Sequence, residues 1–386
     1  MGDCPIHQIK NLRGLIKMLQ SVMEPWFIKY QNARYNLAES GVTNNTLHEL
    51  IQLTNTSVDD LLKINLENND TRGSLKLRKT IASFYDDVDC DRILVSHGTT
   101  EAIFMYFHIR HKPKANVVVP FPAFEVLYEV PKYLGYEVRF LKLSPDNNFR
   151  PDLDELSKLV DDNTEVIVLN NPHNPTGIVF SEQEIQTFIN LAEKHNCEIL
   201  ADEHYRFINF DNTDIIPSIL SKSPKVVALG GIGKCFGCIG LRVGWIIGSA
   251  ELINKCRDFK DYTTHTVCSV NDFLVQAALH NWHNIVPIYK EWISQNLLLL
   301  GAFIKENEHV LDWVEPQAGM VAFPFFKDKS INGQDFVQEL VEDTGVLVLP
   351  GESFGMEGHF RIGLGVEPKL FEEALNNFYG FMKRKF

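Results

Sequence analysis

The stretch "GGIGKCFGCIGLRVGW" (residues 230–245) sets one lysine among six glycines and two cysteines. Taken alone it supports three chemistries: a phosphate loop, a metal or redox site, and a reactive lysine. Spacing removes the first. A P-loop needs a glycine five residues before its Gly-Lys pair and a Ser or Thr after it, and those places hold Ala228 and Cys235. A dinucleotide fingerprint fails too, because Gly231, Gly233 and Gly237 are one residue out of register and far from the first βα unit. Cys235 and Cys238 form a lone C-x-x-C, whereas a structural zinc site takes four ligands. Two small buried thiols are the expectation. Lys234 is left, flanked by glycines that shield it little. In isolation it would read as a solvated surface lysine, so its meaning rests on the rest of the chain.

Around this strip, short apolar runs alternate with helical ones from Leu75 into the 280s. "RILVS", "ANVVVP", "EVIVLNN", "CEILAD" and "KVVALGG" are nearly all apolar, and "EVRFLKL" is more mixed. Strands covered on both faces read this way, as in a mostly parallel sheet between helices. "EQEIQTFINLAEKHN" has helical spacing, as does "IVPIYKEWISQNLLLLGAFIKENE", and so does the opening "PIHQIKNLRGLIKMLQSVMEPWFIKYQ". The pattern predicts an α/β fold. A three-layer α/β/α large domain with a mostly parallel sheet spans 45–285. A small α+β domain is built from 1–44 and 286–386, the latter containing "GMVAFPFF", "GVLVLPG" and "FRIGLG". Chemistry in such sheets collects beyond the carboxyl ends of the strands. The punctuated motifs fall there: "SHGTTEA" after "RILV", "NNPHNPTG" after "EVIVL", "DEHY" after "CEILA", and "GGIGK" after "KVVAL".

Composition narrows the function class. The chain has 386 residues, 45% hydrophobic and 23% charged, with a formal net charge of -13. That charge argues against a nucleic-acid backbone as partner, which needs clustered Lys and Arg. No apolar run is long enough to span a membrane, and no signal-peptide pattern opens the chain. "MGDCPI" begins like a myristoylation site, but Ile6 stands where Ser or Thr is wanted. Seven scattered cysteines read as reduced thiols. The expectation is a soluble, cytoplasmic protein.

Taken in order, these motifs resemble the fold-type I pyridoxal-phosphate (PLP) enzymes, specifically the class I/II aminotransferases. "NNPHNPTG" (170–177) and "GKCFGCIGLRVGW" (233–245) carry the resemblance, with "SHGTTEA", "ADEHY" and "FRIGLG" correctly placed around them. PLP stabilises a carbanion at the substrate α-carbon while the protein binds, orients and tunes it. The resemblance implies that Lys234 forms the resting Schiff base and later moves a proton. Asp202 would pair with the pyridine nitrogen, and Tyr205 with Asn174 would hydrogen-bond the phenolic oxygen. Gly98, Thr99 and Thr100 would cradle the phosphate at a helix N-terminus, with Arg242 beside it. Phe124 would stack on the ring, and Arg361 would fork onto the substrate α-carboxylate.

Two positions depart from the family pattern. Gly231 stands where many relatives have a phosphate-binding Ser, and Asn68 stands where many have a Tyr lent by the neighbouring subunit. Either the cofactor is held less tightly or another group fills the gap. A homodimer is still implied, because relatives build their sites at a dimer interface. Transamination between an L-amino acid and a keto acid is the commonest outcome of this motif class. "NLAESGVTNNTLHEL", "SHGTTEA" and "VLYEVPKYLG" are also similar to the branch of capreomycidine synthase and the PLP arginine oxidases, which act on arginine and, in the oxidases, use oxygen. A cationic substrate side chain needs a carboxylate. Glu39 is either that group or a solvated loop acid, and His97 is either a second polar contact or a satisfied core histidine.

Overall fold

The computed structural model describes residues 21–210 and 215–386. The myristoylation-like start and most of the expected opening helix lie outside those residues. Within them the helical spacing yields one short helix, Glu24–Lys29, with Pro25 in its first turn, where a missing N–H costs nothing.

The strands follow the apolar runs. After β1 (Tyr35–Asn36) come β2 (Ile93–His97), β3 (Asn116–Phe121), β4 (Glu137–Lys142), β5 (Thr164–Asn170), β6 (Glu198–Asp202), β7 (Val226–Gly231) and β8 (Val243–Ile247). β2 to β8 form one seven-stranded sheet in the order β2-β8-β7-β6-β5-β3-β4. β8 alone runs against the rest, antiparallel to both β2 and β7. The sequence reading did not pick out β8, because its five residues sit inside the glycine strip. β4 lies at the sheet edge with exposed and half-buried positions, which accounts for its mixed composition.

Helices fill the crossovers. Glu182–Lys194 starts from a capping box in which Ser181 and Glu184 satisfy each other's backbone N–H groups. The helix Gly98–Arg110 leaves the end of β2 directly. Beyond the sheet, a long helix, Trp282–Glu306, leads into short strands: β9 (Leu311–Asp312), β10 (Val321–Ala322), β11 (Phe325–Phe326), β12 (Val346–Leu347), β13 (Leu349–Pro350) and β14 (Phe360–Gly363). β1 pairs in parallel with β12, and β14 lies between β10 and β13. Among the described residues no helix is long and apolar enough to cross a membrane.

Sheet register brings distant motifs together. Asn170 pairs with Asp202, Gly231 with Gly244, and His97 with Val243. Neighbouring strands lie about 4.8 Å apart, so three motifs share one rim. Because β8 is reversed, its first residue starts where β2 and β7 end. The Gly98 N–H donates to the Arg242 carbonyl at 2.9 Å. A Cβ on Gly244 would lie 2.5 Å from the Thr99 nitrogen and 2.7 Å from the Gly98 carbonyl carbon. Both are backbone atoms, so the helix start or β8 would have to shift. Gly244→Ala should therefore push the helix off the sheet and cost about 1–3 kcal/mol, read as a lower thermal midpoint of the cofactor-free protein. An unchanged midpoint would show that the helix start is free to shift.

Candidate functional site

A cavity of about 520 Å³ opens at this rim. Its walls include Glu39, Gly98, Thr99, Thr100, Phe124, Asn174, Asp202, Tyr205, Lys234, Arg242 and Arg361, all named from the sequence for cofactor or substrate. His97 is not among them. Its ring bonds the Thr266 carbonyl at 3.1 Å, so the satisfied-histidine reading is the one the geometry supports. Asn68 is exposed and does not line the cavity, so this chain alone does not bring it to the site.

Lys234 follows β7 in a loop packed against residues 40–45. Its carbonyl accepts from the Val42 N–H at 3.0 Å, and its Nζ donates to Ser40 Oγ at 2.9 Å. Burial lowers the amine to about 8. Arg361 and Arg242 push the same way, while Glu39 and Asp202 oppose them. Desolvation disfavours an ammonium, so this lysine yields a free amine near neutral pH where an ordinary one does not. Cys235 and Cys238 are buried thiols donating to the His204 and Phe236 carbonyls. Burial raises both, Cys238 to about 12. They pack and do not act as thiolates.

The helix Gly98–Arg110 has no side-chain cap on its N-terminus. First-turn N–H groups of a helix lack intrahelical partners and favour anions. Arg242, in left-handed backbone at φ 49°, lays its guanidinium over Gly98, whose added Cβ would lie 2.9 Å from Nη2. Such backbone is uncommon for a non-glycine residue and clusters at functional sites. Uncapped N–H groups, a guanidinium and two threonines form a donor set suited to a phosphate.

Asp202 ends β6 with its side chain largely buried. Its Oδ1 accepts from the His204 N–H at 3.2 Å and sits 3.0 Å from His204 Nδ1. Tyr205 is buried and donates to the Ser40 carbonyl at 2.9 Å, and burial raises its phenol above the usual range. Arg361, on β14, donates to Asn174 Oδ1 at 3.1 Å and to the Ala38 carbonyl at 2.7 Å. Phe354 packs on the guanidinium face at 5.1 Å. Arg361 Nε is buried with no protein partner. A buried donor left unpaired is costly, and a bound carboxylate would satisfy it.

Several cavity residues escaped the sequence reading. Ser40 holds the Lys234 amine. Glu125 holds the chain at the mouth, accepting from Ser21 Oγ and from the Val22 N–H at 2.8 Å, which brings Met23, Glu24 and Phe27 to the wall. His204 sits between Asp202 and Thr99, with Nε2 2.6 Å from Thr99 Oγ1. The signal for His204 was available in Gly231, whose missing side chain leaves room for its ring.

A family model for aminotransferase class I and II matches residues 39–378. The chain is 26% identical over 357 residues to a capreomycidine synthase of Streptomyces vinaceus, covering 92% of this chain and 91% of that protein. It is 26% identical over 326 residues to aromatic-amino-acid aminotransferase 2 of Thermococcus litoralis, covering 81% and 83%. Among solved structures it is similar to a PLP-dependent aminotransferase from Streptococcus suis, with a TM-score of 0.90 and 28% identity over 96% of this chain and 99% of that one. The match spans far more than half of the chain, so the protein belongs to the aminotransferase class I and II family and is a PLP-dependent enzyme.

Proposed function

We propose that the enzyme moves the amino group of an L-α-amino acid to a keto acid, with Lys234 as the reactive amine and Arg361 as the anchor for the substrate α-carboxylate. The observation that carries this reading is the presence in one cavity of a lysine with a lowered amine, a buried aspartate and two arginines. PLP, when bound, supplies an electron sink for the negative charge left at the α-carbon. The first-turn N–H groups of Thr99 and Thr100 would hold its phosphate together with Arg242. Asp202 would favour a proton on the ring nitrogen, since a carboxylate favours the charged form of a nearby cation. Tyr205 and Asn174 would offer donors to the phenolic oxygen, and Phe124 would pack against the ring. Lys234, as free base, takes the α-proton and returns it on the other side of the transfer. Arg361 fixes the substrate carboxylate, so the reacting bond is held in one orientation.

A second reading has its own support. Glu24, Glu39 and Glu125 all line the cavity, which suits a cationic side chain on the substrate. The similarity to a capreomycidine synthase makes cyclisation or oxidation of an arginine-type substrate the alternative outcome of the same chemistry. In this reading Glu39 meets the cation. The proposal also includes a cytoplasmic homodimer, and a division into a large unit (45–285) and a small one (1–44 with 286–386). The pairing of β1 with β12 supports that division.

Three outcomes are expected. At pH 7 about one Lys234 amine in ten is free base, against about one in three thousand for an unperturbed lysine. Capture of PLP by the cofactor-free protein, followed by its visible absorption band, should therefore rise with pH through a midpoint near 8 and level off about one unit above it. A rise continuing past pH 10 would contradict the lowered amine. Arg361→Ala should weaken amino-acid binding at least about thirtyfold while PLP affinity changes little; equal losses would remove Arg361 from the substrate. In air without keto acid, L-arginine should cause no oxygen uptake, and amino transfer should demand a keto acid. Oxygen uptake with ammonia release would favour the second reading, and Glu39→Gln should then raise KM for arginine far more than for a neutral amino acid.

A further inference from the structure

We propose that His204 is a positioning residue of the cofactor site. It occupies the space that a side chain at position 231 would need, and braces both ends of the site at once. The inference rests on the assignment of Asp202 to the ring nitrogen and of the Gly98 helix to the phosphate.

Three contacts define the role. His204 Nδ1 lies 3.0 Å from Asp202 Oδ1, and His204 Nε2 lies 2.6 Å from Thr99 Oγ1. A Cβ built on Gly231 would lie 2.7 Å from the same Nε2 and 3.4 Å from Cδ2. The ring therefore touches the ends of β6 and β7 and the first turn of the Gly98 helix. A side chain at 231 and the His204 imidazole cannot share that space, so glycine at 231 and histidine at 204 are one joint choice.

The hydrogen bonds have a direction. A carboxylate only accepts, so Nδ1 donates to Asp202. In the neutral ring Nε2 then accepts from the Thr99 hydroxyl. The terminal torsion of an aspartate is broad, and both described hydrogen bonds to the Asp202 carboxylate fall on Oδ1. Held by that one oxygen, the carboxylate has a fixed plane and keeps Oδ2 for the ring nitrogen. At the other end, Thr99 Oγ1 is held by the imidazole, and the N-cap residue His97 places no side-chain cap on the first turn. The N–H groups there stay available to an anion. His204 thus acts on the cofactor through Asp202 and Thr99.

The test is a double-mutant cycle on PLP affinity, measured by calorimetry on the cofactor-free protein, with inorganic phosphate as a second probe. His204→Ala should weaken PLP binding about tenfold or more, the usual loss for a hydrogen bond to a charged group. Gly231→Ser alone should weaken it comparably, by crowding the ring. The double variant should recover most of the loss, because the serine then has room and offers its hydroxyl in place of the ring; contacting residues couple in this way. Two near-isosteres separate the ends. His204→Asn carries an amide near the Nδ1 position and should keep the pH midpoint of the loaded protein's visible band. His204→Gln carries one near Nε2 and should keep phosphate affinity. These polar variants carry the test if the alanine variant folds poorly. Additive losses in the cycle, or wild-type affinity in Gly231→Ser, would overturn the role of His204. If wild-type protein shows no Lys234-dependent visible band with PLP, the underlying assignment fails instead, and the inference falls with it.

Discussion

The close approach of strand β8 to the first turn of the Gly98 helix is the constraint on which the rest of the site depends. Gly244 leaves no room for a side chain there, and the Gly98 N–H is bonded to the Arg242 carbonyl. The helix start is thereby fixed against the sheet, with Arg242 above it. Because β8 runs antiparallel between β2 and β7, the loop holding Lys234 returns to the rim where the helix begins. An anion-favouring helix end and a reactive amine are placed together by one reversed strand of five residues.

A lowered amine does not by itself identify the reactive lysine. Lys260 is also lowered to about 8, again chiefly by burial, and its side chain is wholly enclosed. Its Nζ donates to the Thr71 carbonyl, and it does not line the 520 Å³ cavity. Lys234 differs in its surroundings: a cavity, an uncapped helix end and Arg242 for an anion, and Asp202 and Arg361 within the same walls. Burial sets the basicity of both lysines, and geometry gives only one of them a cofactor site.

Much of this was legible in the sequence, for identifiable reasons. Strands covered on both faces leave continuous apolar runs, so β2, β3, β5, β6 and β7 stand out, and their carboxyl ends point to the motifs. The residues that escaped are those whose role comes from tertiary proximity. Ser40 meets Lys234 across 194 positions of sequence, from a loop with no periodicity to read. Glu125 directly follows Phe124, and its partners Ser21 and Val22 lie more than a hundred residues away. His204 lies between Asp202 and Tyr205 in "ADEHY", and its contacts with Thr99 and Gly231 are tertiary. β8 was hidden because glycines dominate the strip that contains it.

The most direct test is to load the protein with PLP, reduce it with borohydride, digest it and locate the modified lysine by mass spectrometry. The account predicts a single pyridoxyl group on the peptide containing Lys234, suppressed when excess inorganic phosphate occupies the helix end during loading. Modification of Lys260, or a Lys234 label indifferent to phosphate, would contradict the claim that the helix end and Arg242 direct the cofactor to that amine.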